Sequence, residues 1–306
     1  MPRLLRLDCR APVGRIAIEP SFQVPHRGQR GRGVTTALPV DLYSNDQEAP
    51  TVPTLAAVGD AEVSWFHEQG YLAIRKVFDT HVIRESLAAV NRLIDGENAE
   101  FRGVSFEPGT GPSDDLSPAQ RRLRVRKLMN FVDYDECLQA LSADVALLDI
   151  ISRLMHGERP ELFQDMALLK GPGGREKPWH QDMAYFNVPI DTTVVGVWIA
   201  LDEATTANGA LHVLPRSNHH GPREHFKRRD WQICDSEAPN GNDVVVPLPP
   251  GGALLWHGLT HHGSPQNDST AQRRALQFHY RPDSVQLTTT EQRMQHYGGE
   301  VRGAEC

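Results

Sequence analysis

His180-Gln181-Asp182 sets an imidazole and a carboxylate two residues apart, and three more histidines follow in Trp256-His257-Gly258-Leu259-Thr260-His261-His262-Gly263-Ser264. Residues i and i+2 of a strand project from one face, so His180 and Asp182 can approach one ion together. A third ligand from His257, His261 or His262 would complete two histidines and one carboxylate. That set leaves three positions open on ferrous iron, enough for a chelating co-substrate and O2. A structural zinc instead needs four closed ligands, often cysteines. Cys9, Cys137, Cys234 and Cys306 are scattered, with no C-x-x-C pair, which also speaks against a disulfide scaffold and for a reducing, cytoplasmic location.

The two-residue motif is weak by itself. With 14 histidines and 39 acidic residues in 306, roughly 1.8 chance occurrences of His-x-Asp/Glu are expected. Two occur, and His156-Gly157-Glu158 falls at the expected end of a helix, where it reads as a decoy. Context favours His180, because Pro178-Trp179 leads into it just after the turn Gly171-Pro172-Gly173-Gly174. In an extended segment His261 points away from its neighbour, so only one of that pair can ligate. Spacing alone leaves His257 open as well.

These residues need a rigid scaffold, and the second half of the chain supplies strand signals. Short apolar or alternating runs at 162–169, 178–185, 194–201, 210–214, 244–248, 253–257 and 275–280 are separated by Gly171-Pro172-Gly173-Gly174, Asn208-Gly209, Asn240-Gly241 and Pro250-Gly251-Gly252, a pattern of sandwiches and barrels. The first half carries helices. Asp60 opens a short one that ends at Gly70 before the strand Tyr71–Ile74; Ile83, Leu87, Val90 and Ile94 mark one face of a second; Leu138, Leu141, Val145, Leu148 and Ile151 mark one face of a third. The expected architecture is mainly β with flanking α, a cupin-like jelly roll buttressed by helices of the N-terminal half. Gly103 to Pro118, rich in Gly, Pro, Ser and Asp, reads as a loop able to act as a lid.

Three longer patterns carry a resemblance: Trp179-His180-Gln181-Asp182; Val197-Trp198-Ile199-Ala200-Leu201-Asp202 with Asn208-Gly209-Ala210-Leu211; and His262-Gly263-Ser264-x-x-Asn267-x-Ser269-x-x-x-Arg273. Together, across about 62–282, the chain resembles the phytanoyl-CoA dioxygenase family of iron(II)- and 2-oxoglutarate-dependent oxygenases. The resemblance implies a distorted double-stranded β-helix with His262 as the distal ligand. It implies Arg273 for the distal carboxylate of 2-oxoglutarate, which a guanidinium grips through two parallel hydrogen bonds. Ser264 would add a hydroxyl, Trp198 a wall, and Lys127 and Gln164 secondary polar contacts. Tyr185 and Phe186, with the lid, would select the substrate. Iron(II), 2-oxoglutarate and O2 are the implied cofactors, with ascorbate as a stimulant, and the implied reaction is hydroxylation of a small or medium-sized metabolite with release of succinate and CO2. Retention of Asp182 disfavours halogenation, since related halogenases replace that carboxylate. The rival readings are a cupin-like metalloenzyme without 2-oxoglutarate, in which His257 or His261 would add a fourth ligand, and a non-catalytic binding protein of the same fold.

Composition narrows the class. A net charge of −7 offers no basic field for nucleic acid, and no run approaches the ~18 apolar residues of a membrane span. The expected partner is a small molecule, and the expected state a monomer or homodimer. Residues 1–55, Arg-rich with few acids and without periodicity, read as a disordered or loosely packed extension. Residues 56–285 form the expected oxygenase domain and 286–306 a tail.

Overall fold

A computed structural model describes residues 42–111, 116–239 and 241–306. The elements in chain order are β1 (Thr51–Val52), α1 (Asp60–Gln69), β2 (Tyr71–Ile74), α2 (Thr80–Asp95), β3 (Val104–Phe106), α3 (Pro118–Arg124), β4 (Val125–Met129), α4 (Glu136–Ser142), α5 (Val145–Leu154) and β5 (Pro160–Lys170). Then come β6 (Lys177–His180), β7 (Val195–Ala200), β8 (Leu211–Val213), β9 (His225–Lys227), β10 (Trp231–Ile233), β11 (Val244–Val246), β12 (Ala253–His257), β13 (His262–Ser264), β14 (Arg273–Pro282) and α6 (Thr290–Tyr297).

Eight strands pair in the order β1-β2-β12-β7-β14-β5-β4-β3, and four in the order β11-β8-β13-β6. These two sheets face each other as a jelly roll, the architecture expected. Strand parity divides the large sheet. Val197, Ile199, Leu255, Leu276 and Phe278 point to the outer face, where Ile83, Val90 and Ile94 of α2 and Leu138, Leu141 and Ile151 of α4 and α5 cover them. Trp198, Ala200, Leu254 and Ala275 point inward, against Leu211, Val213 and Val244–Val246 of the small sheet. The inner face is where a ligand can be enclosed.

Several expectations are corrected. The apolar series 138–151 is two helices, because the Asp144 side chain accepts from Leu147 N and starts α5 anew; Val145, placed on the apolar face by periodicity, is 81% exposed. The run 178–185 is a strand only to His180, after which Asp182–Tyr185 winds into a 3-10 turn. The expected loop 103–118 contains β3, paired with β4, and residues 112–115 lie outside the described ones. Asp60 is the first residue of α1, whose cap is Gly59, while Gly70 ends that helix in the left-handed region as expected. β9 and β10 carried no legible signal.

Of the expected extension, residues 1–41 lie outside the described residues. Tyr43 stacks on Trp179 with ring centroids 5.5 Å apart, and β1 pairs with β2. In the expected tail, Tyr297 of α6 is buried. Cys234 and Cys306 form a disulfide across 72 residues, a pairing that scattered spacing could not reveal and that removes the support drawn from cysteine spacing for a reducing compartment. Among the described residues no helix is long and apolar enough to cross a membrane.

Candidate metal centre

β6 and β13 are antiparallel neighbours, and their register sets His180 directly opposite His262, with ring centroids 4.2 Å apart. Gln181 is still extended, so Asp182 returns to the face of His180 as the first residue of the 3-10 turn. Met183 N donates to Gly258 O at 3.0 Å and pins that turn. One potential ligand atom each from His180, Asp182 and His262 lies within 4.8 Å of the others, and all three residues are buried.

The hydrogen bonds around the triad set its protonation. His180 Nδ1 donates to Pro178 O at 2.8 Å and His262 Nδ1 donates to Thr260 O at 3.0 Å, which leaves both Nε2 lone pairs free. Those atoms lie 3.4 and 3.6 Å from the Asp182 carboxylate oxygens. Burial keeps both rings neutral, pushing His262 down to about 3 with help from the neighbouring His180 and lowering His180. Burial alone would raise the Asp182 carboxyl, but His262, His279 and the hydrogen bonds it accepts outweigh this and hold it well below the usual carboxylate range. Two neutral imidazoles and one carboxylate fit a divalent cation.

Two residues that the sequence reading missed orient Asp182. Its Oδ2 accepts from His279 Nε2 at 2.8 Å and Trp256 Nε1 at 2.9 Å. The signal for His279 was present in the strand period, since Arg273, Ala275, Gln277 and His279 share one face of β14. Gly196 makes room for Trp256: a Cβ there would meet the indole at 2.4 Å.

The triad opens into a cavity of about 460 Å³, within the usual range for small-molecule sites. Arg273 is buried in its wall, over the Trp198 ring at 5.2 Å, and its Nε and Nη1 have no hydrogen-bond partner among the described residues. Buried guanidinium donors without partners call for an anion. Ser264 accepts from Lys170 Nζ at 2.8 Å; Lys170, directly opposite Arg273 in the β14–β5 register, was also missed. Lys127, Gln164, Tyr185 and Phe186 line the cavity. Tyr185 donates to Trp231 O at 2.7 Å and accepts from Lys177 Nζ at 2.9 Å.

The competing histidines lie elsewhere. His257 accepts from Leu259 N and packs by Phe66. His261 faces His220 with ring centroids 5.7 Å apart, and neither of its ring nitrogens has a partner among the described residues. The decoy His156 stacks on His67 at 4.4 Å. Gln181, between the two ligand candidates, turns away to donate to Gly221 O and Leu259 O.

The family model for phytanoyl-CoA dioxygenase matches residues 66–275. The chain is 33% identical over 129 residues to phytanoyl-CoA dioxygenase domain-containing protein 1 of Danio rerio, a match covering 39% of this chain and 44% of that protein. It is 25% identical over 225 residues to a probable alpha-ketoglutarate-dependent hypophosphite dioxygenase of Stutzerimonas stutzeri, covering 70% of this chain and 75% of that one. Its fold is shared by the epimerase SnoN, solved in complex with Fe3+, alpha ketoglutarate and nogalamycin RO, with a TM-score of 0.61 and 18% identity over 76% of this chain and 86% of the other.

Proposed function

The chain belongs to the phytanoyl-CoA dioxygenase family, and from that membership we propose an iron(II)- and 2-oxoglutarate-dependent dioxygenase that hydroxylates a small or medium-sized metabolite, releasing succinate and CO2. The observation that carries this reading is the joint presence, in one cavity, of a buried His180–Asp182–His262 cluster and the donors of Arg273 that meet no partner among the described residues.

His180, Asp182 and His262 would hold the iron, and Arg273 with Ser264 would take the distal carboxylate of 2-oxoglutarate. Iron and 2-oxoglutarate, when bound, supply the activation of O2 for oxidation of a C–H bond. The protein contributes geometry and dryness. Trp256 and His279 fix the Asp182 carboxylate, the Pro178 and Thr260 carbonyls fix the two imidazole tautomers, and Trp198 supports the guanidinium from below. Lys127 and Gln164 border the co-substrate, while Tyr185 and Phe186 would shape the place of the substrate.

Anaerobic addition of ferrous iron and 2-oxoglutarate tests the reading. A visible charge-transfer band is expected, followed in air by release of succinate. His180→Ala or Asp182→Ala should abolish both, and persistence of the band in either variant would sink the assignment.

A further inference from the structure

Adjacent residues of a regular strand face opposite ways, yet Arg126 and Lys127 both line the cavity. The cause is a β-bulge. Ser105 pairs with Lys127 and Phe106 with Val125, so Arg126 is the extra residue of β4. Bulges of this kind turn a side chain out of its regular direction.

Among the described residues the cavity wall is cationic. Arg126, Lys127, Lys170, Arg175, Lys177 and Arg273 line it, against the carboxylates of Glu107, Asp182 and Asp230. Glu107 pairs with Arg175 at 3.7 Å and Asp230 with Lys177 at 2.8 Å, and Asp182 belongs to the metal cluster. Lys170 donates to Ser264 and to the carbonyl of Pro265. Arg273 and Lys127 serve 2-oxoglutarate in the reading above. The Arg126 side chain is left over, with no hydrogen bond or ion pair to any described residue. Its charge is felt nearby: Lys127 is pushed down to about 8 by burial, then by Lys177 and Arg126, and Lys170 is lowered by burial, then by Arg273 and Arg126. One dicarboxylate does not offset this excess, and an unpaired cation in a partly dry wall is costly. A second anion would relieve it.

We propose that the substrate oxidised at this site is itself an anion, carrying a carboxylate or phosphate-type group, and that Arg126, aimed inward by the bulge, is the residue that recognises that group. A guanidinium suits both groups through paired hydrogen bonds. The proposal rests on the iron and 2-oxoglutarate reading of the same cavity.

The test uses the full chain loaded anaerobically with ferrous iron and 2-oxoglutarate. Acetate and inorganic phosphate are titrated at constant ionic strength, with acetamide as the neutral control, and binding is followed by calorimetry and by the shift of the charge-transfer band. At least one anion is expected to bind and acetamide is not. Arg126→Ala should weaken that anion at least tenfold and Arg126→Lys should recover part of the loss, with melting temperatures equal to the parent and 2-oxoglutarate affinity within twofold of it. Anion binding that is absent, or indifferent to Arg126→Ala, overturns the proposal. So does a loss of 2-oxoglutarate affinity in Arg126→Ala as large as that in Arg273→Leu, which would assign Arg126 to the co-substrate. A parent protein without the charge-transfer band loses the oxygenase reading and this proposal together, whereas a band without Arg126-dependent anion binding removes this proposal alone.

Discussion

His279 donates from Nε2 to Asp182 Oδ2 at 2.8 Å, sharing that oxygen with Trp256 Nε1 at 2.9 Å. The carboxylate is therefore held from behind by two donors of the large sheet, while it faces His180 and His262 at 3.4 and 3.6 Å. Groups that orient a metal ligand commonly contribute 10- to 100-fold in affinity.

His279→Ala is accordingly expected to weaken iron binding about 10- to 100-fold. Gly196→Ala, which displaces the Trp256 indole, should act in the same direction. Titration with ferrous iron under nitrogen, beside thermal melts, measures both, and parental affinity in the two variants would remove the orienting role.

Arg273 and Arg274 are neighbours with different surroundings. Arg274 is tied to Asp202 through two bonds of 2.7 Å, while Arg273 is buried with donors that meet no partner among the described residues. Arg273→Leu should raise the 2-oxoglutarate dissociation constant roughly 10- to 150-fold, the worth of about 1.5–3 kcal/mol for a hydrogen bond to a charged group. Arg274→Leu should leave it unchanged. Equal effects in a binding titration would contradict the division.

Metal-free protein should be labile to acid. Burial pushes His225, His261 and His262 down to about 3, whereas an unfolded histidine titrates near 6.5. Between those values the unfolded chain binds protons that the folded chain refuses, so stability falls as pH drops from about 6.5 toward 3. In chelator, urea midpoints should decline over pH 6 to 4, and His261→Leu should flatten the slope by up to about 1.4 kcal/mol per pH unit. An unaltered slope would mean that His261 is protonated in the fold.

The break between α4 and α5 separates two residues that periodicity had joined. Leu141→Ala, at a site 1% exposed, should cost about 2–5 kcal/mol. Val145→Ala, at a site 81% exposed, should stay within about 0.5 kcal/mol. Urea unfolding distinguishes them, and comparable losses would restore the single continuous helix.

Local rules made much of this protein legible. Turn residues and alternating runs delimited the strands of the jelly roll, the apolar period of α2 announced its covering face, and the i, i+2 relation paired His180 with Asp182, because each depends on neighbours in the chain. The third member of the cluster did not follow from spacing. His257, His261 and His262 are equivalent as types, and it is the pairing of β13 with β6 that brings His262 opposite His180 while His261 faces the other way. The same holds for Trp256 and His279 behind Asp182, for Lys170 beside Arg273 and for the bulge at Arg126. Each depends on which strands become neighbours and in what register. That is decided by burying both faces of the large sheet at once, a condition on the whole fold that no short stretch of sequence contains.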